Sequence, residues 1–247
     1  MGQKLRHCGY ALLVALCIFL LILAPARLLL VLMPEGFFQS TGVIRGSLWQ
    51  GSASSVVVII NDNAIALGAV DWKINPLSMP LLSPEISIRS QWRQQQLFSE
   101  LELDMSGNIQ VDTLSLSVPA GIARHWVPLS LGGELILNAT QVHFVDGGLQ
   151  SGEGTLRWKN ASWKADAGRV LLGDYLGHIS IDQNALRLQI DEKDEPVGVS
   201  GWLEWDKDYR IDMTVISANP ALRSALLLIA TEDDAQGMRI QIPSQVK

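Results

Sequence analysis

Cysteine is almost absent. Cys8 and Cys17 are the only two in 247 residues, and both sit near the N-terminus, so no disulfide framework can hold the remainder together. Histidine is scarce too: His7, His125, His143 and His178 stand too far apart for a local metal-ligand motif. His143, in Gln-Val-His-Phe-Val, reads as a strand residue. Neither a G-x-S-x-G elbow, a phosphate-cradling glycine loop nor an H-E-x-x-H pair occurs. Glu232, Asp233 and Asp234 look like a cation cluster, but a solvated loop past a helix end is the ordinary explanation. No cofactor, metal or catalytic residue is expected, although a hydrolase site assembled from dispersed residues stays open. A surplus of positive charge is also missing. With Lys4, Arg6 and Arg27 set aside, 16 of the 19 basic residues face 25 acidic ones, a net of −9 beyond Met33. Such a surface repels phosphate backbones, which excludes nucleic acid as an expected partner.

Apolar residues are plentiful, at 48% of the chain. They are concentrated first in Tyr10 to Met33, a run broken only by Pro25 and Arg27. At about 1.5 Å of rise per residue such a helix crosses a hydrocarbon core of about 30 Å, with Arg27 snorkelling at one end. Lys4 and Arg6 precede the run, so the positive-inside rule puts the N-terminus in the cytoplasm. The organisation expected is a cytoplasmic tail at 1–9, a transmembrane anchor at 10–33 and one periplasmic β-rich domain at 34–247. The alternative is a cleaved signal peptide ending at Ala24-Pro25-Ala26. Against it, Leu28 to Leu32 continue the apolar run, and Pro25 is awkward inside a cleavage site.

Beyond Met33 the dominant period is two. Leu101, Leu103 and Met105 alternate with Glu100, Glu102 and Asp104, which is a half-buried strand with a polar outer face. After the Ser106-Gly107-Asn108 turn the apolar phase shifts between Val111 and Leu114, which predicts a bulge near Thr113. Ile179 and Ile181, then Leu186 to Ile190, then Ile211 to Val215 repeat the pattern. Short Gly, Asn and Asp turns between them indicate antiparallel hairpins. Segments opening on glycine recur, as Gly107-Asn-Ile-Gln, Gly154-Thr-Leu-Arg, Gly177-His-Ile-Ser and Gly201-Trp-Leu-Glu, and each is expected to start a new strand pair at a tight corner. Asp191 to Pro196 reads as a charged hairpin tip. One substantial helix is expected over Pro220 to Ala230, capped by Asn219 with proline at its first position. Pro119 to Trp126 is expected to form a short helical turn. Several of the eight tryptophans fall beside charged neighbours, which suits core packing or a groove rim where the indole N–H finds a partner.

One segment needs glycine for geometry. Thr41 to Ile60 is rich in Val, Ile and Trp and so extended, yet it contains Gly46 and Gly51, which weaken a strand. Leu48 and Trp49 point to opposite faces of a regular strand, so a bulge or bend beside a glycine is needed to pack both. A structural corner is favoured over a partner-binding Trp. Gly46-Ser47-Leu48-Trp49-Gln50-Gly51, after an apolar run and before Asp71, Trp72 and Pro76, resembles the signature of the type II secretion system protein N family (GspN). Ser47 stands where threonine is frequent in that family, and Leu131 to Leu137 resembles a third shared segment. The resemblance implies a non-enzymatic accessory protein of the bacterial inner membrane, single-pass, supporting export of folded proteins across the outer membrane through contacts with other secretion-system components. It also implies kinship with AsmA-like domains. The fold expected is thus mainly β: an N-terminal transmembrane helix, then a curved antiparallel sheet with one C-terminal helix. Phospholipid is the alternative partner, since a single helix leaves part of the sheet's apolar face uncovered.

A periplasm-dependent reporter fused after Lys247 is expected to be active. Activity only from a cytoplasm-dependent reporter would reverse the orientation set by Lys4 and Arg6.

Overall fold

The computed structural model describes residues 19, 23–28, 38–40, 42–60, 63–76, 78, 83–125, 130–165, 168–206, 208–227, 230–234 and 237–242. The expected tail and most of the expected anchor, with Lys4, Arg6, Cys8 and Cys17, lie outside the described residues, as does Trp126. Among the described residues no helix is long and apolar enough to cross a membrane. Pro25, within the expected anchor, forms an antiparallel bridge with Ser47. A helix therefore does not run unbroken from Tyr10 to Met33.

The chain divides into two units, Met1–Trp92 and Arg93–Lys247. In the first, β1 (Phe38–Ser40), β3 (Gln50–Ile60), β4 (Asn63–Ile74) and β5 (Glu85–Trp92) pair in that order, all antiparallel, and β2 (Ile44–Gly46) pairs with β3. The register of β3 on β4 slips on either side of Val56, which is a bulge. Ser54 serves it by accepting from the Val43 N–H through its hydroxyl oxygen, at 2.9 Å. Gly68, with φ of +75°, lies under the Trp92 ring, where a Cβ would come within 2.6 Å of the indole.

In the second unit β6 (Gln95–Leu103), β7 (Ile109–Pro119), β8 (Leu131–Val145), β9 (Gly148–Ala165), β10 (Gly168–Asp182), β11 (Ala185–Glu192), β12 (Val197–Trp205) and β13 (Tyr209–Ser217) form an antiparallel meander. It is extended by β15 (Gly237–Ile242), and β14 (Glu232–Asp234) pairs outside β15. Two-residue turns join several strands: Asp146-Gly147 and Gln183-Asn184 both have positive φ at each position, the primed-turn geometry that matches strand twist. β6 stops at Leu103, short of the expected Met105. The Asp104 carboxylate accepts from the Ser106 and Asn108 N–H groups, each at 2.8 Å, closing the turn and leaving Met105 74% exposed. The bulge expected near Thr113 is present: Glu100 faces Thr113 but Leu101 faces Val111, so Asp112 is the extra residue. A 3-10 turn at Ala120–His125 occupies the expected helical turn.

The helix α1 (Pro220–Leu226) begins as its sequence requires. Asn219 Oδ1 accepts from the Ala221 and Leu222 N–H groups, at 3.0 and 3.2 Å, and the helix runs to Leu226, shorter than the expected Pro220 to Ala230, with the Ala230 N–H donating to Leu226 O. Leu222 and Leu226 pack on a buried cluster of Ala161, Leu172, Tyr175, Val197 and Val215. The Tyr175 hydroxyl lies 2.9 Å from Leu172 O and 2.8 Å from Val197 O, so its single proton always has an acceptor. Burial, with the Glu195 carboxylate adding to it, pushes the phenol above its ordinary value.

A phenol whose folded value is raised contributes stability below the unfolded value, about pH 10, and that contribution is lost as pH climbs through and beyond it. Tyr175→Phe is expected to cost about 1 kcal/mol at neutral pH. It should also flatten the alkaline fall in the denaturation midpoint. Equal alkaline sensitivity in the two proteins would remove Tyr175 as its source.

Candidate binding face

At Gly46 to Gly51 the chain turns between β2 and β3, and β3 and β4 bring this segment beside Asp71 and Trp72. Gly51 pairs with Trp72 and Ser52 with Asp71 across β3 and β4. Between β2 and β3 the chain reverses at Ser47, Leu48 and Trp49. The Ser47 N–H donates to Gln50 O at 2.9 Å, the Trp72 indole N–H donates to Leu48 O at 3.1 Å, and the Ile74 N–H donates to Trp49 O at 2.6 Å. Gly46 has φ of +95° and no room for a Cβ against Gln50 O; a Cβ on Gly51 would reach 2.6 Å from Arg45 O and collide with the Trp72 ring. Pro76 is exposed in the turn after β4. Leu131 to Leu137 belongs to β8 in the other unit.

The unit of residues 93–247 carries a second feature, built by register. Because side chains alternate along a strand, directly paired residues share a face. One row of pairs runs Leu97, Leu116, Leu137, Leu156, Gly177, Ile190, Gly201, Met213, Ile240, from β6 to β15. The neighbouring row on that face runs Leu114, Ala139, Gly154, Ile179, Leu188, Leu203, Ile211, Ile242. Between them in sequence, and so on the opposite face, lie Ser115, Asn138, Thr155, His178, Gln189, Trp202, Asp212 and Gln241. One face is apolar across nine strands and the other polar.

The apolar face is only partly covered. Buried clusters form beneath α1 and, separately, around Val111, Ala139, Val142 and Ile181. Leu116, Leu137, Leu156, Ile190 and Met213 are only half-buried. A cavity of about 330 Å³ opens on this face, lined by Leu156, Trp158, Tyr175, Met213 and Leu222 among other apolar residues, with Gly177 in its wall. Gly154, Gly177 and Gly201 were expected at strand starts and instead occupy mid-strand positions in the apolar rows. At Gly177 a Cβ would approach Leu188 Cδ1 to 2.5 Å, so glycine leaves room there for larger neighbours. The readable signal was their phase: Gly177 falls in step with Ile179 and Ile181.

The polar face is cross-linked by charge. Arg239 makes two hydrogen bonds to the Asp212 carboxylate, at 2.9 and 2.7 Å, and these hold that carboxyl below its ordinary range. Arg187 lies over the Trp202 ring at 4.9 Å. Glu232 and Asp233 sit in β14 rather than a solvated loop. Asp233 accepts from Arg223 at 2.8 Å, and Glu232 stands 4.0 Å from Arg239, so the acidic group is met by cations of the fold. His143 is a β8 residue, with Nδ1 3.1 Å from Ser151 Oγ. Among the described residues no group of three or more His, Cys, Asp or Glu is placed to hold a metal ion. No described tryptophan is buried; Trp158 at the cavity donates its indole N–H to Gly132 O at 3.0 Å.

A family profile described as Type II secretion system (T2SS), protein N matches residues 40–241, which spans both units. The chain belongs to that family. Among its relatives is the type II secretion system protein N of Vibrio cholerae, 29% identical over 72% of this chain and 71% of that one. The protein N of Pectobacterium carotovorum is 26% identical over 94% and 93% of the two chains, and that of Aeromonas hydrophila 28% identical over 78% and 77%. No solved structure matches the chain. The family match takes in the corner as well as the apolar rows as far as Ile240.

Gly46→Val and Gly51→Val are each expected to destabilise the fold by ~2 kcal/mol or more, from backbone strain at the first and collision at the second. Thermal denaturation checks this. An unchanged midpoint with lost secretion would mark the corner as a contact surface instead.

Proposed function

We propose that this protein is a non-enzymatic accessory component of the type II secretion system, held in the inner membrane with its β-rich part in the periplasm. It supports the export of folded proteins across the outer membrane by binding other inner-membrane components of the apparatus. Family membership supports the assignment to the secretion system. The observation that carries the mode of action is the apolar face of the unit of residues 93–247, where row after row of Leu, Ile and Met is left half-buried under a seven-residue helix. Contiguous apolar surface of that kind is retained in a protein to be covered by something else.

A second reading makes the same face an AsmA-like shelter for a phospholipid acyl chain. Its support is the cavity under α1, whose lining offers apolar contact and almost no hydrogen-bonding groups. The two readings separate on what is bound.

Deletion of the gene is expected to trap exoproteins in the periplasm, with secretion restored by the wild-type chain. Met213→Asp should fold, because its side chain is half-buried, yet fail to restore secretion. Native mass spectrometry of the gently extracted protein tests the occupant. Bound phospholipid that Met213→Asp removes would raise the lipid reading above the protein-contact one. A lipid-free chain that captures another component of the apparatus would discard it. Normal secretion in the deletion strain would contradict both.

A further inference from the structure

Within the unit Met1–Trp92, a segment inside the apolar run lies against the Gly46 to Gly51 corner. Leu23 N–H donates to Phe19 O at 3.1 Å, a helical bond. One residue later the pairing is extended: Pro25 bridges Ser47, Leu48 N–H donates to Ala24 O at 2.8 Å, and Ala26 N–H donates to Gly46 O at 3.2 Å. Ala24 and Ala26 are 5% and 3% exposed. The switch follows from Pro25, which has no N–H to continue a helix and restricts Ala24 to extended geometry. An extended Ala24-Pro25-Ala26 presents one carbonyl and one N–H on the same edge, and the corner presents their complements.

We propose that the corner is a clasp, which receives Ala24 to Ala26 in extended pairing and ties the N-terminal apolar run to the outer sheet. The proposal rests on the reading that the apolar run is retained in the membrane. Trp72 braces the clasp, since its indole N–H holds the carbonyl of Leu48, the residue whose N–H meets Ala24. One consequence follows from this pairing. The Ala24-Pro25-Ala26 segment, strand-paired and with both alanines buried, is closed to a peptidase, because cleavage needs a segment free to open.

The test uses the full chain in membranes, with Cys8→Ser and Cys17→Ser as background. Pro25 and Ser47 are flanked by both hydrogen bonds, which makes them a non-hydrogen-bonded antiparallel pair, with Cα atoms typically about 4.5 Å apart and within disulfide range. Pro25→Cys with Ser47→Cys, oxidised by copper phenanthroline, is expected to form an intramolecular disulfide, read as a reductant-sensitive mobility shift. Phe19→Cys with Ser47→Cys should not. Intact mass should show a chain that retains residues 1–26. A folded double variant that stays reduced overturns the clasp. A mature chain beginning at Arg27 overturns the clasp and the retained anchor together, so the two failures are distinguishable, and neither reading depends on the secretion assay. Where the double variant does not fold, Ala26→Cys decides. Its labelling by a water-soluble maleimide should be slow, and about tenfold faster when Gly46→Val is added, as local opening exposes it. Slow labelling unchanged by Gly46→Val, or labelling as fast as Val43→Cys at an exposed position, overturns the proposal.

Discussion

Cross-strand register is the constraint on which the second unit depends. A strand alternates its faces with a period of two, so a slip of one residue anywhere between β6 and β15 would send Leu, Ile and Met to the polar side of every strand beyond it. The pairing from Leu97 through Leu156 and Ile190 to Ile240 holds one phase across nine strands. Where the sequence breaks phase, a bulge restores it: Asp112 lies outside the pairing of β7 with β6, and the apolar series resumes at Leu114. The polar face reinforces the same register through the Arg239 to Asp212 fork and the Arg187 to Trp202 stack. Each is modest at an exposed site, but each is satisfied only in the correct pairing.

This arrangement leaves the sheet amphipathic and unevenly covered. Most sheets bury their apolar side against another layer. Here α1 seals one end, through Leu222 and Leu226, while the rows between the two buried clusters remain half-exposed. In the other unit the corner is held by close approach, since Gly46 and Gly51 let β2, β3 and the Trp72 ring come nearer than any side chain would allow.

Much of this was legible in the sequence because it is local. Period-two alternation marks strands wherever one face is apolar, Asn219-Pro220 marks a helix start by its own chemistry, and two glycines in a β-branched run mark a corner. What the sequence concealed is non-local or depends on neighbours. Mid-strand glycines at 154, 177 and 201 read as turn residues because their reason for being small is a side chain on the next strand, such as Leu188 beside Gly177. The end of β6 was misread at Met105, since Asp104 can alternate in a strand or cap a turn, and the Asn108 N–H decides which. The apolar run to Met33 hid its break at Pro25, because hydropathy does not register a bridge to Ser47. The division at Trp92 leaves no mark in composition at all.

The half-buried apolar rows are, on this view, the protein's working surface. The most direct measurement is site-specific photo-crosslinking in intact membranes, with a photoreactive side chain introduced at Met213 on the apolar face or at Asp212 on the polar one. A binding face predicts adducts to another secretion component, or to phospholipid, from position 213 and few or none from 212. Adducts of equal yield from both positions, or none from 213 in a chain that supports secretion, would contradict it.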